Sequence, residues 1–246
     1  MNSIAAIILA AGSGKRLNCK SVNKVMLSLD GKPMLSYTVD TLKKTGLFPI
    51  IAVVGFAKKN IMDFFKDELV YASQKKRLGT AHAVSCGLPL LPEKTKHVLI
   101  VNGDDSYLYT RRLLRRLITR HLRTKAEVTL LTVKKDVPFG LGRIVRNSKG
   151  KIRGIVEEKD AAEKERKITE INPQCWVFRV SFLRGFLKRI KKSKVTGEYY
   201  IGDLINLAVK HGKKVEDIKG GKLAWRGVNT PIELTEAKKL LEKSEN

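Results

Sequence analysis

A glycine-rich turn that carries two cations lies near the start of the chain, in the sequence Leu9-Ala10-Ala11-Gly12-Ser13-Gly14-Lys15-Arg16. It directly follows an apolar run over residues 4–9. Glycine lets the backbone approach a ligand closely, so such a turn can surround phosphates with N–H groups while Lys15 and Arg16 neutralise them. The turn indicates nucleotide chemistry, although an ordinary strand-to-helix turn has a similar composition.

The spacing of this turn excludes two familiar phosphate-binding motifs. A Walker A loop needs Ser or Thr after its lysine and a second glycine upstream, whereas Lys15 is followed by Arg16 and lacks that glycine. A dinucleotide-binding fingerprint needs a third small residue where Leu17 stands. Neither a P-loop kinase nor a dehydrogenase is favoured.

Two adjacent carboxylates, Asp104 and Asp105, follow an apolar run over residues 97–101. Nucleotide enzymes typically hold Mg²⁺ by one or two carboxylates together with substrate phosphates. Asn229 is a candidate second ligand, because its amide oxygen is also a hard donor. The alternative interpretations are an Asx turn at the acidic pair and a helix cap at Asn229. A glycine-rich loop at the same predicted sheet edge favours the metal site.

Strand-like and helical patterns alternate through the first half of the chain. They predict strands at 4–9, 50–54, 69–71 and 97–101, and helices at 34–44, 58–65 and 80–88. Such alternation is typical of a doubly wound α/β fold, with a mostly parallel sheet and helices on both faces. Ligands bind such sheets at the carboxyl ends of the strands, where Gly12 and Asp104 both fall.

The sequence pattern of the second half of the chain predicts a smaller β-rich lobe. Strands are predicted at 128–133, 143–146, 152–157 and 175–178, and the turn at 147–150 joins two of them. The stretch 163–167 is expected to be a surface loop or short helix, and residues 232–241 form an amphipathic segment. We expect one domain over 1–246, divided into 1–135, the lobe 136–230 and a C-terminal helix 231–246.

The chain is strongly basic, with 49 Lys and Arg against 24 Asp and Glu and a net charge of +25. In residues 111–123 the apolar side chains recur at helical spacing, so the arginines fall on the other face. That pattern predicts a packed helix with a solvated basic face, and nucleic-acid binding is not expected because no aromatics interleave with the cations. A non-catalytic, basic nucleic-acid-binding protein stays open as the alternative of another class. The predicted core positions are Leu113, Leu114, Leu117, Ile118 and Leu122, and the outer positions are Arg112, Arg115, Arg116, Arg120 and Arg123.

Three widely spaced cysteines, Cys19, Cys86 and Cys175, suit a reduced compartment rather than a disulfide framework. No basic segment precedes the first apolar run, which therefore fits a buried strand better than a secretion signal. No run is long enough to span a bilayer. We expect a cytoplasmic protein without a membrane partner.

Leu9-Ala10-Ala11-Gly12 and Arg16 are the first part of a longer pattern of motifs, and further segments complete it. In order along the chain they are Gln74, Leu78-Gly79-Thr80-Ala81-His82-Ala83, Gly103-Asp104, Gly142-Arg143-Ile144, Ile155-Val156-Glu157-Glu158-Lys159-Asp160-Ala161, Glu170-Ile171-Asn172, Gly197-Glu198-Tyr199-Tyr200 and Gly227-Val228-Asn229. Together they resemble the sugar-phosphate nucleotidyltransferases, and within them the uridylyltransferase half of the bacterial bifunctional N-acetylglucosamine-1-phosphate uridylyltransferases.

This resemblance implies a Rossmann-like nucleotidyltransferase (GT-A-like) fold whose small β-rich lobe binds sugar. It implies an Mg²⁺-dependent transferase that forms a UDP-sugar, foremost UDP-N-acetylglucosamine, and pyrophosphate from UTP and a sugar-1-phosphate. The alternative within the resemblance is a cytidylyl- or thymidylyltransferase for another phosphorylated sugar or alcohol.

The resemblance also implies a role for individual residues. Arg16 and Lys24 would bind the triphosphate and the acceptor phosphate, and Asp104 and Asn229 would hold Mg²⁺. His82 is interpreted as structural. The side-chain amide of Gln74 offers both a hydrogen-bond donor and an acceptor to uracil. The nucleotide would be bound by Leu9, Ala10, Ala11, Gly12, Gln74, Gly79 and Thr80, and the sugar by Gly142, Glu157 and Asn172.

The chain departs from the family pattern at three places. Asn23 replaces the proline before the loop lysine, which predicts a less rigid loop. Pro173-Gln174 replaces Thr-Gly next to the sugar, which leaves the identity of the sugar open, and the residues after Asp104 differ from the usual Pro-Leu. The sequence contains no hexapeptide repeats, so acetyl transfer is not expected.

Overall fold

A computed structural model describes residues 4–138, 140–221, 223 and 225–245, without the side chains of Lys15, Ser244 and Glu245. The predicted phosphate contact of the Lys15 side chain therefore lies outside the described part. The strands are β1 Ile4–Ala10, β2 Ser28–Leu29, β3 Lys32–Pro33, β4 Ile50–Val54, β5 Val70–Ser73, β6 His97–Asn102, β7 Val128–Lys134, β8 Arg143–Arg146, β9 Ile152–Val156, β10 Glu170–Ile171, β11 Cys175–Arg179 and β12 Val215–Lys219. The helices are α1 Met34–Thr45, α2 Lys58–Phe65, α3 Thr80–Gly87, α4 Arg111–Thr124, α5 Glu163–Arg166, α6 Val180–Phe186, α7 Asp203–Lys210 and α8 Pro231–Glu245.

One mixed sheet joins both halves of the described chain. Its order is β5-β4-β1-β6-β11-β7-β10-β8-β9, and β12 also pairs with β7. The strands from β5 to β6 run parallel, whereas β11 is antiparallel to both of its neighbours. The predicted α/β sheet is confirmed, and the hairpin of β8 and β9 lies where the turn at 147–150 predicted it.

The two faces of the first strand supply two separate hydrophobic cores. Ala5 and Ile7 pack with α3, α6 and α7 on one face. Ile4, Ala6 and Ile8 pack with α1, α2 and α4 on the other. The apolar run is continuous because helices pack against a central parallel strand on both faces of the sheet. This packing fixes the position of the strand's carboxyl end.

Helix α4 matches its predicted span but differs at one core position. Leu122 is 43% exposed, while His121 is fully buried. The His121 ring has a polar partner on each side, with Nδ1 3.0 Å from Thr129 Oγ1 and Nε2 3.0 Å from His97 Nδ1. Burial lowers the pKa of His121 to about 3, so the ring is neutral and satisfied in the core.

Strand β12 and helix α7 were not predicted from the sequence. Strand β12 contains three charged residues and two apolar ones, and none of them is fully buried, so the apolar signal is weak. Its Glu216 pairs with Arg120 of α4 at 2.6 Å. One arginine of the predicted solvated face is therefore half-buried against a strand.

No helix in the described ranges is both long and apolar enough to cross a membrane. All three cysteines are free thiols, and Cys175 is buried in β11.

Candidate active site

The turns after β1 and β6 lie side by side at one edge of the sheet. The two strands are parallel neighbours in a register that pairs Leu9 with Asn102. The N–H of Gly103 donates to the carbonyl of Leu9 at 3.0 Å, which joins the two turns just beyond the strands. The glycine-rich loop and the acidic pair therefore lie next to each other, because neighbouring parallel strands have their carboxyl ends at the same edge of the sheet.

Asn23 is a buried clamp for the glycine-rich loop. Its Nδ2 donates to the carbonyls of Ala10, at 3.0 Å, and Phe56, at 2.7 Å. Its Oδ1 accepts from the N–H of Val25, and its own N–H donates to Asn60 Oδ1 at 3.1 Å. Its carbonyl also accepts from the N–H of Met26 at 2.9 Å. Because five hydrogen bonds hold this fully buried residue, the structure does not fit the looser loop predicted from the missing proline.

Lys24, Asp104 and Asn229 meet at one point. Lys24 Nζ contacts the Asp104 carboxylate and lies 3.0 Å from Asn229 Oδ1. The N–H of Val228 donates to the Asp104 carbonyl at 3.0 Å, which fixes the Asn229 segment beside the acidic pair. Two hard oxygen ligands thus converge on one cationic atom, and this donor set suits a divalent cation.

The side chains of Asp104 and Asn229 do not form the Asx turn or the helix cap that were the alternative interpretations. Thr230, not Asn229, caps α8, because its Oγ1 accepts from the N–H of Glu233 at 3.2 Å. In the acidic pair it is Asp105 that forms a local side-chain hydrogen bond, accepting from Asn102 Nδ2 at 3.2 Å. Burial and the neighbouring Asp104 raise the pKa of Asp105, which favours the neutral form of that carboxyl.

An open cleft of about 560 Å³ lies beside the glycine-rich loop; we call it the larger cleft. The predicted nucleotide-binding residues in its wall are Leu9, Ala11, Gly12, Gln74, Gly79 and Thr80, together with Lys24 and Asp104. Ala10 is different, since it is buried in the core and its carbonyl accepts from Asn23. The structure therefore brings six of the seven predicted nucleotide residues to one wall.

Gln74 has its amide nitrogen committed within the protein. Nε2 donates to the Gly79 carbonyl at 3.1 Å and lies 2.9 Å from His82 Nδ1. An amide nitrogen only donates, so His82 Nδ1 is the acceptor in this contact. His82 thus orients Gln74, and Oε1 is the amide atom for which the described residues provide no hydrogen bond.

A second space of about 260 Å³ also borders Asp104; we call it the smaller cavity. Gly142, Glu157 and Asn172 line it, as does Arg16. Asn102 and Asp104 belong to the walls of both spaces. Arg16 therefore lines the smaller cavity and Lys24 lines the larger cleft, while Asp104 is in the wall of both.

Glu157 is a buried carboxyl with an altered acidity. A Cβ on Gly142 would lie 3.3 Å from its Oε2, and one on Gly202 would lie 3.3 Å from its Oε1. Burial, and then the negative charges of Asp203 and Asp160, raise the pKa of Glu157 to about 7. Its protonation therefore changes near neutral pH.

Several wall residues were missed by the sequence analysis. Arg77 lines the larger cleft, and Lys135 and Arg226 line the smaller cavity. Arg226 stands directly before the Gly227-Val228-Asn229 motif, a position that could have drawn attention to it. Lys135 had no such signal, and its pKa is lowered by burial and by the charge of Arg226.

Comparison with known proteins places these features in a family. The family model described as nucleotidyl transferase matches residues 5–244. "Bifunctional protein GlmU" of Caldanaerobacter subterraneus subsp. tengcongensis is 37% identical over 246 residues, which is 100% of this chain and 53% of that protein. The GlmU of Geobacillus sp. is 39% identical over 96% of this chain and 51% of its own length.

A solved structure supports the fold independently. A Bacillus anthracis protein described as a glucose-1-phosphate thymidylyltransferase, crystallised with a sucrose, superposes with a TM-score of 0.79 at 20% identity. The match covers 96% of this chain and 94% of that one. The chain spans about half the length of the curated relatives it matches, and the family model matches nearly the whole chain. The chain belongs to the nucleotidyl transferase family.

Proposed function

We propose that this nucleotidyltransferase joins UTP to N-acetylglucosamine-1-phosphate, forming UDP-N-acetylglucosamine and releasing pyrophosphate. The observation that carries the proposal is the pair of spaces that share Asn102 and Asp104. A nucleotide in the larger cleft and a sugar phosphate in the smaller cavity would bring their phosphates together at Asp104. The GlmU relatives support the choice of substrates.

Asp104 and Asn229 would hold Mg²⁺ in this proposal. The general dependence of nucleotidyltransferases on a divalent metal supports it, as does the meeting of the two side-chain oxygens at Lys24. When bound, the ion would neutralise charge on the triphosphate and polarise its phosphorus centre.

The chain's own residues would bind, orient and neutralise the reactants. A sugar-1-phosphate is already an anionic nucleophile at neutral pH, since phosphate monoesters have a second pKa of about 6. One of its oxygens would form a bond to the α-phosphorus of UTP, while the bond to the departing pyrophosphate breaks. Arg16 and Lys24 would reduce the repulsion between the two anions. The residues that line the larger cleft and the smaller cavity would align the two substrates.

Gln74 would contribute to recognition of the base. With its nitrogen held by Gly79 and His82, Oε1 is left to accept from a donor on the base. Uracil and thymine both present N3–H there, whereas N3 of cytosine has no hydrogen. This contact favours UTP or dTTP over CTP and leaves the thymidylyltransferase alternative in place, which the Bacillus anthracis fold neighbour also suggests.

A substrate screen tests the proposed function. Pyrophosphate release would be measured for UTP, dTTP, CTP and ATP against N-acetylglucosamine-1-phosphate, glucose-1-phosphate and phosphocholine. We expect the highest rate with UTP and N-acetylglucosamine-1-phosphate, loss of that rate with EDTA and recovery with Mg²⁺. Higher turnover with another pair would replace the substrate assignment, and no turnover with any pair would contradict a transferase.

Glu157 gives a pH-dependent prediction. Its pKa of about 7 means that the carboxylate, the stronger hydrogen-bond acceptor for a sugar hydroxyl, predominates only above neutral pH. We expect the KM for the sugar phosphate to fall roughly fivefold between about pH 6 and pH 8, the equivalent of about 1 kcal/mol. Steady-state kinetics across this range would measure it.

The Glu157→Gln variant is the control for this pH dependence. Ionisation of the substrate phosphate affects both proteins equally, so the ratio of their KM values isolates the carboxyl. A ratio that stays constant with pH would show that Glu157 does not bind the sugar in its ionised form.

A further inference from the structure

The turn between β10 and β11 forms part of the wall of the smaller cavity, and Gln174 has an unusual backbone conformation there. Its φ is +50°, in the left-handed region that glycine adopts without strain and residues with a Cβ avoid. Glutamine at this position therefore destabilises the free protein relative to glycine.

Asn172 is committed to shaping this turn. Its Nδ2 donates to the Leu131 carbonyl at 2.7 Å, and its Oδ1 accepts from the N–H of Gln174 at 3.0 Å. The carbonyl of Pro173 accepts from Tyr109 Oη at 2.7 Å. Both polar atoms of Asn172 thus have a partner in the fold, so this residue of the cavity wall also positions its neighbour Gln174.

The Gln174 side chain carries a second cost. It lines the smaller cavity beside Glu157, yet its Oε1 is buried with no hydrogen-bond partner among the described residues. A buried acceptor without a partner is unfavourable, and glycine would remove this cost together with the strain. Two unfavourable features at one residue in a cavity wall indicate that its amide serves a ligand in the cavity rather than the stability of the free protein.

We propose that Gln174 is a specificity-determining residue for the acceptor, whose side-chain amide hydrogen-bonds to a polar ring substituent such as a hydroxyl or acetamido group. The proposal rests on the proposed function. A neutral amide suits a ring substituent rather than the phosphate, because Arg16 and Lys135 already provide positive charge in the same wall.

Two substitutions separate the amide from the backbone conformation. Gln174→Gly removes both the amide and the strain, whereas Gln174→Leu removes the amide and keeps a side chain on the strained backbone. Loss of one hydrogen bond predicts a roughly five- to tenfold higher KM for the acceptor in both variants. The KM for UTP should stay within about twofold of the wild type. The Tm should rise by about 2–4 °C in Gln174→Gly and by less in Gln174→Leu, which loses the unpartnered acceptor but keeps the backbone strain.

Asp30→Gly is the matched control. Asp30 also has a left-handed backbone, with φ +47°, but it is exposed in the turn between β2 and β3, outside the residues that line either space. This variant should gain thermal stability and keep the wild-type KM for the acceptor. Comparison of the two glycine variants therefore separates relief of strain from loss of the amide.

Several outcomes would overturn the proposal. Wild-type KM values for every acceptor in both Gln174 variants would show that the amide reads no substituent, while the proposed function would stand. If the wild type released no pyrophosphate with any pair, the proposed function would fail, and calorimetric titration with N-acetylglucosamine-1-phosphate would decide the role of Gln174. Equal affinity of wild type and variants, or no binding by the wild type, would then overturn the proposal.

Discussion

Replacing Asp104 by asparagine is expected to lower kcat/KM for pyrophosphate release by about 10³-fold. The proposed metal ion supplies several kcal/mol of charge stabilisation, and each 1.36 kcal/mol corresponds to a factor of ten. The substitution preserves shape and removes only the negative charge that meets Asn229 at Lys24. Steady-state kinetics at saturating Mg²⁺, and across a Mg²⁺ titration, would measure the loss.

Asp136→Asn is a suitable control for the loss of one negative charge. Asp136 is exposed and stands next to Lys135 of the smaller cavity, without lining the cavity itself. This variant should retain wild-type turnover within about twofold, as surface substitutions usually do. If Asp104→Asn kept more than a tenth of the wild-type activity, the proposed metal ligand would be wrong. Circular dichroism of both variants would separate chemistry from unfolding.

Replacing Gly79 by alanine is expected to destabilise the protein by about 2–5 kcal/mol. A Cβ there would lie 2.4 Å from the backbone oxygen of Tyr199 and 2.7 Å from its nitrogen, distances at which the backbone must move. The φ of +100° adds the strain of a left-handed conformation, about 1–2 kcal/mol, to an overpacking cost of about 1–3 kcal/mol. Urea unfolding would measure the change.

The Tyr199 backbone cannot move freely because it is held on both sides. Its N–H donates to Leu78 at 2.8 Å, and its carbonyl accepts from Ala81 at 2.9 Å. The Gly79 carbonyl also holds the Gln74 amide at 3.1 Å. The alanine variant should therefore lose nucleotide affinity as well as stability, with a higher KM for UTP in whatever fraction stays folded.

Gly212→Ala separates strain from collision. Gly212 also has a left-handed φ, of +62°, but an added Cβ would meet nothing within 4 Å. Its substitution should cost about 1–2 kcal/mol from strain alone. Equal losses of stability in the two alanine variants would mean that the contact with Tyr199 relaxes without cost.

Much of the fold follows from local sequence patterns. The strands at Ile50–Val54 and Arg143–Arg146 and the helix at Lys58–Phe65 match their predicted bounds. Strand β12 was missed because a half-buried strand with charged residues gives a weak apolar signal. The buried His121 was missed because its burial depends on Thr129 and His97, which only the folded sheet brings beside it.

The sequence by itself determined the order of the elements and the types of group available for chemistry, because burial imposes periodicity on each segment and phosphate or metal ligands are restricted to a few residue types. Only the tertiary structure decided which groups meet. Lys24 and Asn229 are separated by 205 positions, yet their polar atoms are 3.0 Å apart. Asn23 is a clamp, and the polar atoms of Asn172 are committed to a turn. These assignments depend on strand register and on competition among neighbours for each hydrogen bond, neither of which is encoded in any single segment.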